Sequence, residues 1–108
     1  MVIEQYEIVW VNLDPSIGSE ANKIRPAVVI SPESINKFVK TLVVMPITNT
    51  IKDYLAFRFT ISNTTVKGQI MLDQVKAVDL SRITSSAGML NAADIQELKS
   101  IINRFYVQ

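Results

Sequence analysis

The chain has 108 residues, of which 48% are hydrophobic and 19% charged, with a net charge of +1. That suits a single domain spanning residues 1–108, with a core large enough to fold without staples. No cysteine and no histidine are present, which excludes disulfides, thiolate nucleophiles and sulfur-ligated zinc, and leaves acid–base chemistry to carboxylates, Arg, Lys, Tyr and hydroxyls.

The first residues, Met1-Val2-Ile3-Glu4-Gln5, lack the charged start and apolar run of a signal peptide. No apolar stretch approaches the roughly 18 residues of a membrane span, so a cytoplasmic protein with no membrane contact is expected. The charge balance is far from that of a DNA-coating protein, and any nucleic acid must meet a local basic site.

Strands come early. Glu7 to Leu13 is a β-rich run closed by Asp14-Pro15, and Ala27 to Ile30 follows Pro26 and stops at Ser31-Pro32. Both are apolar at nearly every position, the pattern of strands buried on two faces. A short helix is expected over Pro32 to Phe38, then a third apolar strand from Thr41 to Ile47. Leu55, Phe57, Phe59 and Ile61 alternate with Ala56, Arg58, Thr60 and Ser62, which predicts a half-buried strand. Gly68 to Leu72 and Gln74 to Leu80 complete the series.

The period then changes. Asn91 followed by Asp94 resembles a capping box, and Ile95, Leu98, Ile102 and Phe105 recur at helical spacing. Short strands without βαβ alternation, ending in one amphipathic helix, indicate a mainly β fold: a small antiparallel β-barrel with a C-terminal helix.

Three segments carry polar groups at unusual places. The 12-residue stretch from Asp14 to Arg25 joins two apolar strands and holds Glu20, Lys23 and Arg25; connections of that length are commonly functional or disordered. Arg25 precedes a proline, which biases its backbone to extended geometry. Pro46-Ile47-Thr48-Asn49-Thr50 ends a buried strand in hydroxyl and amide groups, suited to a phosphate or base edge, or to capping a turn. Asp73 and Gln74 interrupt an apolar stretch, as a bulge or a site does.

Taken together the motifs gain specificity. Ile8-Val9-Trp10-Val11-Asn12-Leu13-Asp14-Pro15, Gly18-Ser19-Glu20 and Arg25-Pro26-Ala27-Val28-Val29-Ile30 resemble the N-terminal signature of MazF/PemK toxins. Pro46-Ile47-Thr48, Gly68 to Gln74, Val78-Asp79 and Arg82 follow in the order that family shows, and the C-terminal helix corresponds. The resemblance implies a homodimeric barrel that cleaves single-stranded RNA in the cytoplasm without metal or cofactor. It also implies silencing by a cognate MazE/PemI-like antitoxin, which typically threads an acidic, flexible tail across the RNA site. DNA would be met only indirectly, through the antitoxin complex.

The same resemblance makes Arg25 and Thr48 the catalytic pair; with no histidine present, the base would be Glu20 or Asp73. Ser19, Lys23, Asn49, Thr50 and Gln74 are the expected RNA contacts. The chain departs from the family at Tyr6-Glu7, where Gly-Asp is common. Some PemK-type members have His in place of Ser19 and Arg in place of Met71, so those roles do not transfer. The rival readings are a gyrase-binding toxin of the CcdB type on the same barrel and a barrel that binds a protein partner without catalysis. The chain ends Phe105-Tyr106-Val107-Gln108 rather than in the Trp-Gly-Ile type of terminus on which gyrase poisons depend.

Overall fold

The computed structural model describes residues 2–13, 24–62 and 65–107. Among them the order is β1 (Glu7–Asn12), β2 (Ile24–Val29), α1 (Glu33–Asn36), β3 (Thr41–Thr48), β4 (Arg58–Thr60), β5 (Gln69–Met71), β6 (Lys76–Asp79), β7 (Ile83–Met89) and α2 (Ala92–Tyr106). Single 3₁₀ turns, Leu72–Gln74 and Leu80–Arg82, lie before and after β6.

All pairings are antiparallel, and the strands run β4-β5-β3-β2-β1-β7, with β6 also paired to β3. The mainly β architecture with a terminal helix agrees with the sequence. The sheet is open, however: among the described residues no pairing joins β7 to β4.

β3 organises the whole. One edge pairs with β2; the other pairs with β5 at Ile47–Thr48 and with β6 at Thr41–Val44. Pro46 is tolerated in this central strand for a local reason. The Val43 carbonyl accepts the Ile30 amide at 2.9 Å, so alternation along β3 turns the amide positions of Val44 and Pro46 to the opposite edge. There Pro46 falls in the gap between the β5 and β6 partners, where a missing N–H leaves no ladder bond unmade.

Strands β1 to β3 are buried on both faces, as their continuous apolar runs require. One face contributes Ile8, Val28, Met45 and Ile47 to a cluster with Ile61, Ile70, Leu72, Leu98 and Ile101. The other contributes Val9, Val11, Ala27, Val29, Leu42 and Val44, closed by Ile3 and Val78. Each large aliphatic side chain buried in this way stabilises the fold by roughly 1.5–3 kcal/mol relative to exposure.

α2 covers the first cluster with Leu98 and Ile101 fully inside and Ile95, Ile102 and Phe105 at its margin. Asn91 is its N-cap, accepting the Asp94 amide at 2.7 Å. Asp94 does not reach back to complete a capping box. Its buried carboxylate instead accepts the Ser62 amide and hydroxyl at 2.9 and 3.1 Å, while the Asn91 side chain donates to the Ser62 carbonyl. The helix start is thereby clipped to the segment after β4.

Candidate functional site

Pro26 determines where the central strands part. The Val29 carbonyl accepts the Tyr6 amide at 2.6 Å, so odd-numbered residues of β2 turn their backbone groups toward β1 and even-numbered ones toward β3. Pro26 therefore faces β3 with no N–H to give, and the registered β2–β3 pairs end at Ala27 and Pro46. Continuing that register by two residues brings Arg25 opposite Thr48 at the open strand ends. Arg25 is thus no loop residue: it lies in β2, paired with Val11 and exposed at its side chain.

Beside the parted strands lies an open cleft of about 310 Å³. Trp10, Ile24, Pro26, Ile47 and Val66 supply its apolar surface, and Arg25, Asn49, Thr65 and Lys67 its polar rim. Trp10 and Pro26 are register partners and so stand side by side on one face of the sheet. Among the described lining residues Arg25 and Lys67 are the charged groups, and none is acidic.

Thr48 is half-buried and its hydroxyl oxygen accepts the Thr50 amide at 3.1 Å. This fixes the bend through the exposed Asn49 and Thr50, and it uses only an acceptor lone pair. Among the described residues no acceptor takes the Thr48 O–H.

Two neighbours hold that strand end. Gly68, at φ +145°, packs directly on the Thr48 carbonyl. Gln69, the register partner of Thr48, is buried; its side-chain oxygen accepts the Lys52 amide at 3.0 Å, and its amide donates to Thr60 and Asp53 at 3.2 and 3.3 Å. One side chain thus ties the segment after β3 to β4 and β5.

Asp73 and Gln74 lie elsewhere. They occupy the 3₁₀ turn after β5, and neither lines the cleft. Arg58 holds Asp73 through two bonds of 3.1 and 3.2 Å, and the Gln74 side chain donates to the same carboxylate at 3.2 Å. Partial burial acts to raise the Asp73 pKa, but the hydrogen bonds from Arg58 and Gln74, aided by the Arg58 charge, outweigh it and hold the carboxyl below its ordinary value. Tyr106 donates its hydroxyl to the Leu72 carbonyl, and its ring meets Phe105 edge-on, which pins this turn to α2.

Of the residues singled out in the sequence, Arg25 and Asn49 line the cleft; Thr48 stands between the lining residues Ile47 and Asn49 without being one of them, and Thr50 lies on the adjoining bend. Ser19, Glu20 and Lys23 lie outside the described residues. Sequence reasoning passed over Thr65, Val66, Lys67 and the structural part of Gln69. The available signals were Gly68, which marks a close backbone approach, and a glutamine at the head of an apolar strand. Among the described residues no group of three or more acidic side chains is gathered as a metal site, and no helix is long and apolar enough to cross a membrane.

Fold and site together define a mainly β protein with a cationic cleft at the open end of its central strands. The chain belongs to the family described as PemK-like, MazF-like toxin of type II toxin–antitoxin system, whose model matches residues 4–106. It is similar to the Mycobacterium tuberculosis protein named endoribonuclease MazF9, at 34% identity across 85% of this chain and 86% of that protein. The Escherichia coli K12 endoribonuclease toxin MazF is 33% identical over 90% of this chain and 87% of its own length. The fold matches MazF in a solved MazE–MazF structure from Deinococcus radiodurans with a TM-score of 0.85, at 24% identity, covering 100% of this chain and 98% of that one.

Proposed function

We propose that this toxin endoribonuclease cuts single-stranded RNA, messenger RNA included, without a metal ion, and so inhibits translation and growth. The observation that carries the reading is the β2–β3 register, which ends at Ala27 and Pro46 and, continued by two residues, would face Arg25 to Thr48 beside the cleft that Arg25 lines.

RNA supplies its own nucleophile. The 2′-oxygen attacks the adjacent phosphorus, the bond from phosphorus to the 5′-oxygen breaks, and a 2′,3′-cyclic phosphate and a 5′-hydroxyl result. A base takes the proton from the 2′-hydroxyl, and the departing 5′-oxygen gains one. Arg25 carries a planar fork of donors and no acceptor, so its part is to clamp the phosphate and stabilise charge growing on its oxygens. Thr48 donates its hydroxyl hydrogen to a phosphate oxygen or holds the 2′-hydroxyl in line.

The base is a carboxylate. Asp73 is a weak choice, since its bidentate pair with Arg58 lowers its basicity and it is not among the residues lining the cleft. Glu20, five positions before Arg25, is the base in this reading. Ser19, Lys23, Asn49 and Thr50 contact the RNA strand, and Gln74 would do so only on RNA extending past the cleft. A MazE/PemI-like antitoxin silences the enzyme, as the MazE–MazF pairing of its structural relative suggests, and the active species is a homodimer in the cytoplasm.

The test is incubation of the purified protein with mixed-sequence RNA in EDTA, followed by sequencing of the ends. Cyclic-phosphate ends at a short motif are expected. Arg25→Ala should lower the rate by ~10² or more, and Thr48→Val by about tenfold, the worth of one hydrogen bond. Wild-type cleavage by Arg25→Ala would remove Arg25 from the chemistry. Intact RNA together with stalled gyrase would replace the ribonuclease by a gyrase poison, and intact RNA with normal gyrase by a non-catalytic binding barrel.

A further inference from the structure

We infer that the cleft between β2 and β3 is a nucleobase pocket: one unpaired base next to the scissile phosphate enters it, lies against Trp10 and Pro26, and is read at its edge by Asn49. The inference deepens the ribonuclease reading and rests on it.

The shape of the cleft favours a flat, partly apolar guest. Trp10 and Pro26 form a continuous surface because they are cross-strand partners, and Ile47 and Val66, both nearly fully buried, close the floor behind them. At about 310 Å³ the cleft sits at the small end of ligand pockets, which run from roughly 300 to 1,000 Å³. The far wall is fixed in place: Gly68 abuts the Thr48 backbone, its carbonyl accepts the Ile61 amide at 3.0 Å, and Ser62 is clipped to the start of α2. A preformed slot of this kind discriminates, because a base that fits gains its contacts without ordering the walls.

The rim supplies the rest of a nucleotide's chemistry. Arg25 and Lys67 offer positive charge with no acid among the described lining residues, matching phosphates on either side of an inserted base. Asn49 is exposed at the rim, and its amide carries both a donor and an acceptor, the pair that reads a base edge bidentately. Unpaired RNA presents its bases splayed for such stacking and edge contacts. A base meets all three at once: a flat face for the Trp10–Pro26 surface, a donor–acceptor edge for the Asn49 amide, and flanking phosphates for the two cations.

Trp10 is the chain's single tryptophan, so its emission reports on this pocket alone. The experiment titrates the full chain with a short oligonucleotide carrying 2′-deoxyribose at the cut position, which cannot cleave. In parallel, RNA ends are sequenced for the wild type, Asn49→Ala and Lys67→Gln. Binding should quench or shift the Trp10 emission. Asn49→Ala should relax base preference at one position of the cleavage motif, by about ten- to hundredfold in discrimination, while other positions hold. Lys67→Gln should weaken binding uniformly and reduce its salt dependence, leaving the motif unchanged.

If the wild type cuts RNA but Trp10 does not respond and Asn49→Ala keeps the full motif, the base pocket is wrong and the ribonuclease reading stands. If the wild type cuts no RNA, the ribonuclease reading fails, and an unchanged Trp10 emission on adding the oligonucleotide overturns the base pocket as well.

Discussion

Gly68 and Thr48 meet backbone to backbone: a Cβ on Gly68 would stand 2.3 Å from the Thr48 carbonyl oxygen. The strand end that presents the Thr48 hydroxyl is therefore seated on a residue that has no room for a side chain and also adopts φ +145°.

Gly68→Ala should accordingly cost about 1–3 kcal/mol, the range for a backbone conformation that L side chains resist, and should displace the Thr48 strand end. Chemical denaturation gives the first effect and single-turnover RNA cleavage the second. Normal stability together with normal cleavage would show that the contact does not constrain the site.

Asp94 is buried at the start of α2 and satisfies both the amide and the hydroxyl of Ser62. Asp94→Ala leaves those donors unpaired, and a loss of about 1–3 kcal/mol is expected. Because Ser62 leads into the wall of the cleft, hydrogen exchange should accelerate at Val66 and Lys67 before it does at Leu98. Uniform acceleration across the chain would mean that the clip serves global stability alone.

Tyr6 occupies the left-handed region at φ +69°, held there by its amide bond to Val29 and its carbonyl bond from Leu90. Glycine enters that region without steric cost, whereas an L side chain resists it. Tyr6→Gly should be more stable than Tyr6→Ala by about 1 kcal/mol, reversing the usual order in extended or helical backbone. Both variants lose the ring that packs on the main core, so their difference isolates the backbone. Equal urea midpoints at equal m-values would contradict the assignment.

The Asp73–Arg58 pair makes stability depend on pH. Folding lowers the Asp73 pKa, so the pair's contribution is fully present above the unfolded value near 4. It is lost as pH falls through the lower folded value. Asp73→Asn should remove that acid-dependent loss while lowering neutral stability by no more than about 1 kcal/mol, the usual limit for an accessible pair. If the pair is also remote from catalysis, Asp73→Asn will keep cleaving RNA near the wild-type rate.

Much of the fold was legible because local chemistry and tertiary demand agree. The apolar runs of β1 to β3 meant burial on two faces, and Asn91 capped α2 as its spacing implied. Elsewhere they diverge. β7, Ile83 to Met89, is largely Ser, Ala, Gly and Thr and carries little strand propensity; pairing with β1, through two register shifts, makes it a strand. The alternation from Leu55 to Ser62 suggested one long strand, yet only Arg58–Thr60 pairs. Turn bonds from Leu55 to Lys52 and from Arg58 to Leu55 take the chain back at one end, and Ile61 bonds to Gly68 at the other. Asp73 and Gln74 proved to be a turn, with the carboxylate held by an arginine that no local pattern could pair with it.

The sequence by itself determined the family and the mainly β class and singled out Arg25 and Thr48 as candidates, because these follow from ordered motifs and side-chain periodicity along one chain. Tertiary structure alone decided that the β2–β3 pairs end at Ala27 and Pro46, that Arg25 stands in a strand paired with Val11, and that Trp10, Val66 and Lys67 share a cleft with Arg25. Those are relations between strands far apart in sequence, fixed by which edge each amide faces, and a missing N–H acquires its meaning only once its neighbour across the sheet is known.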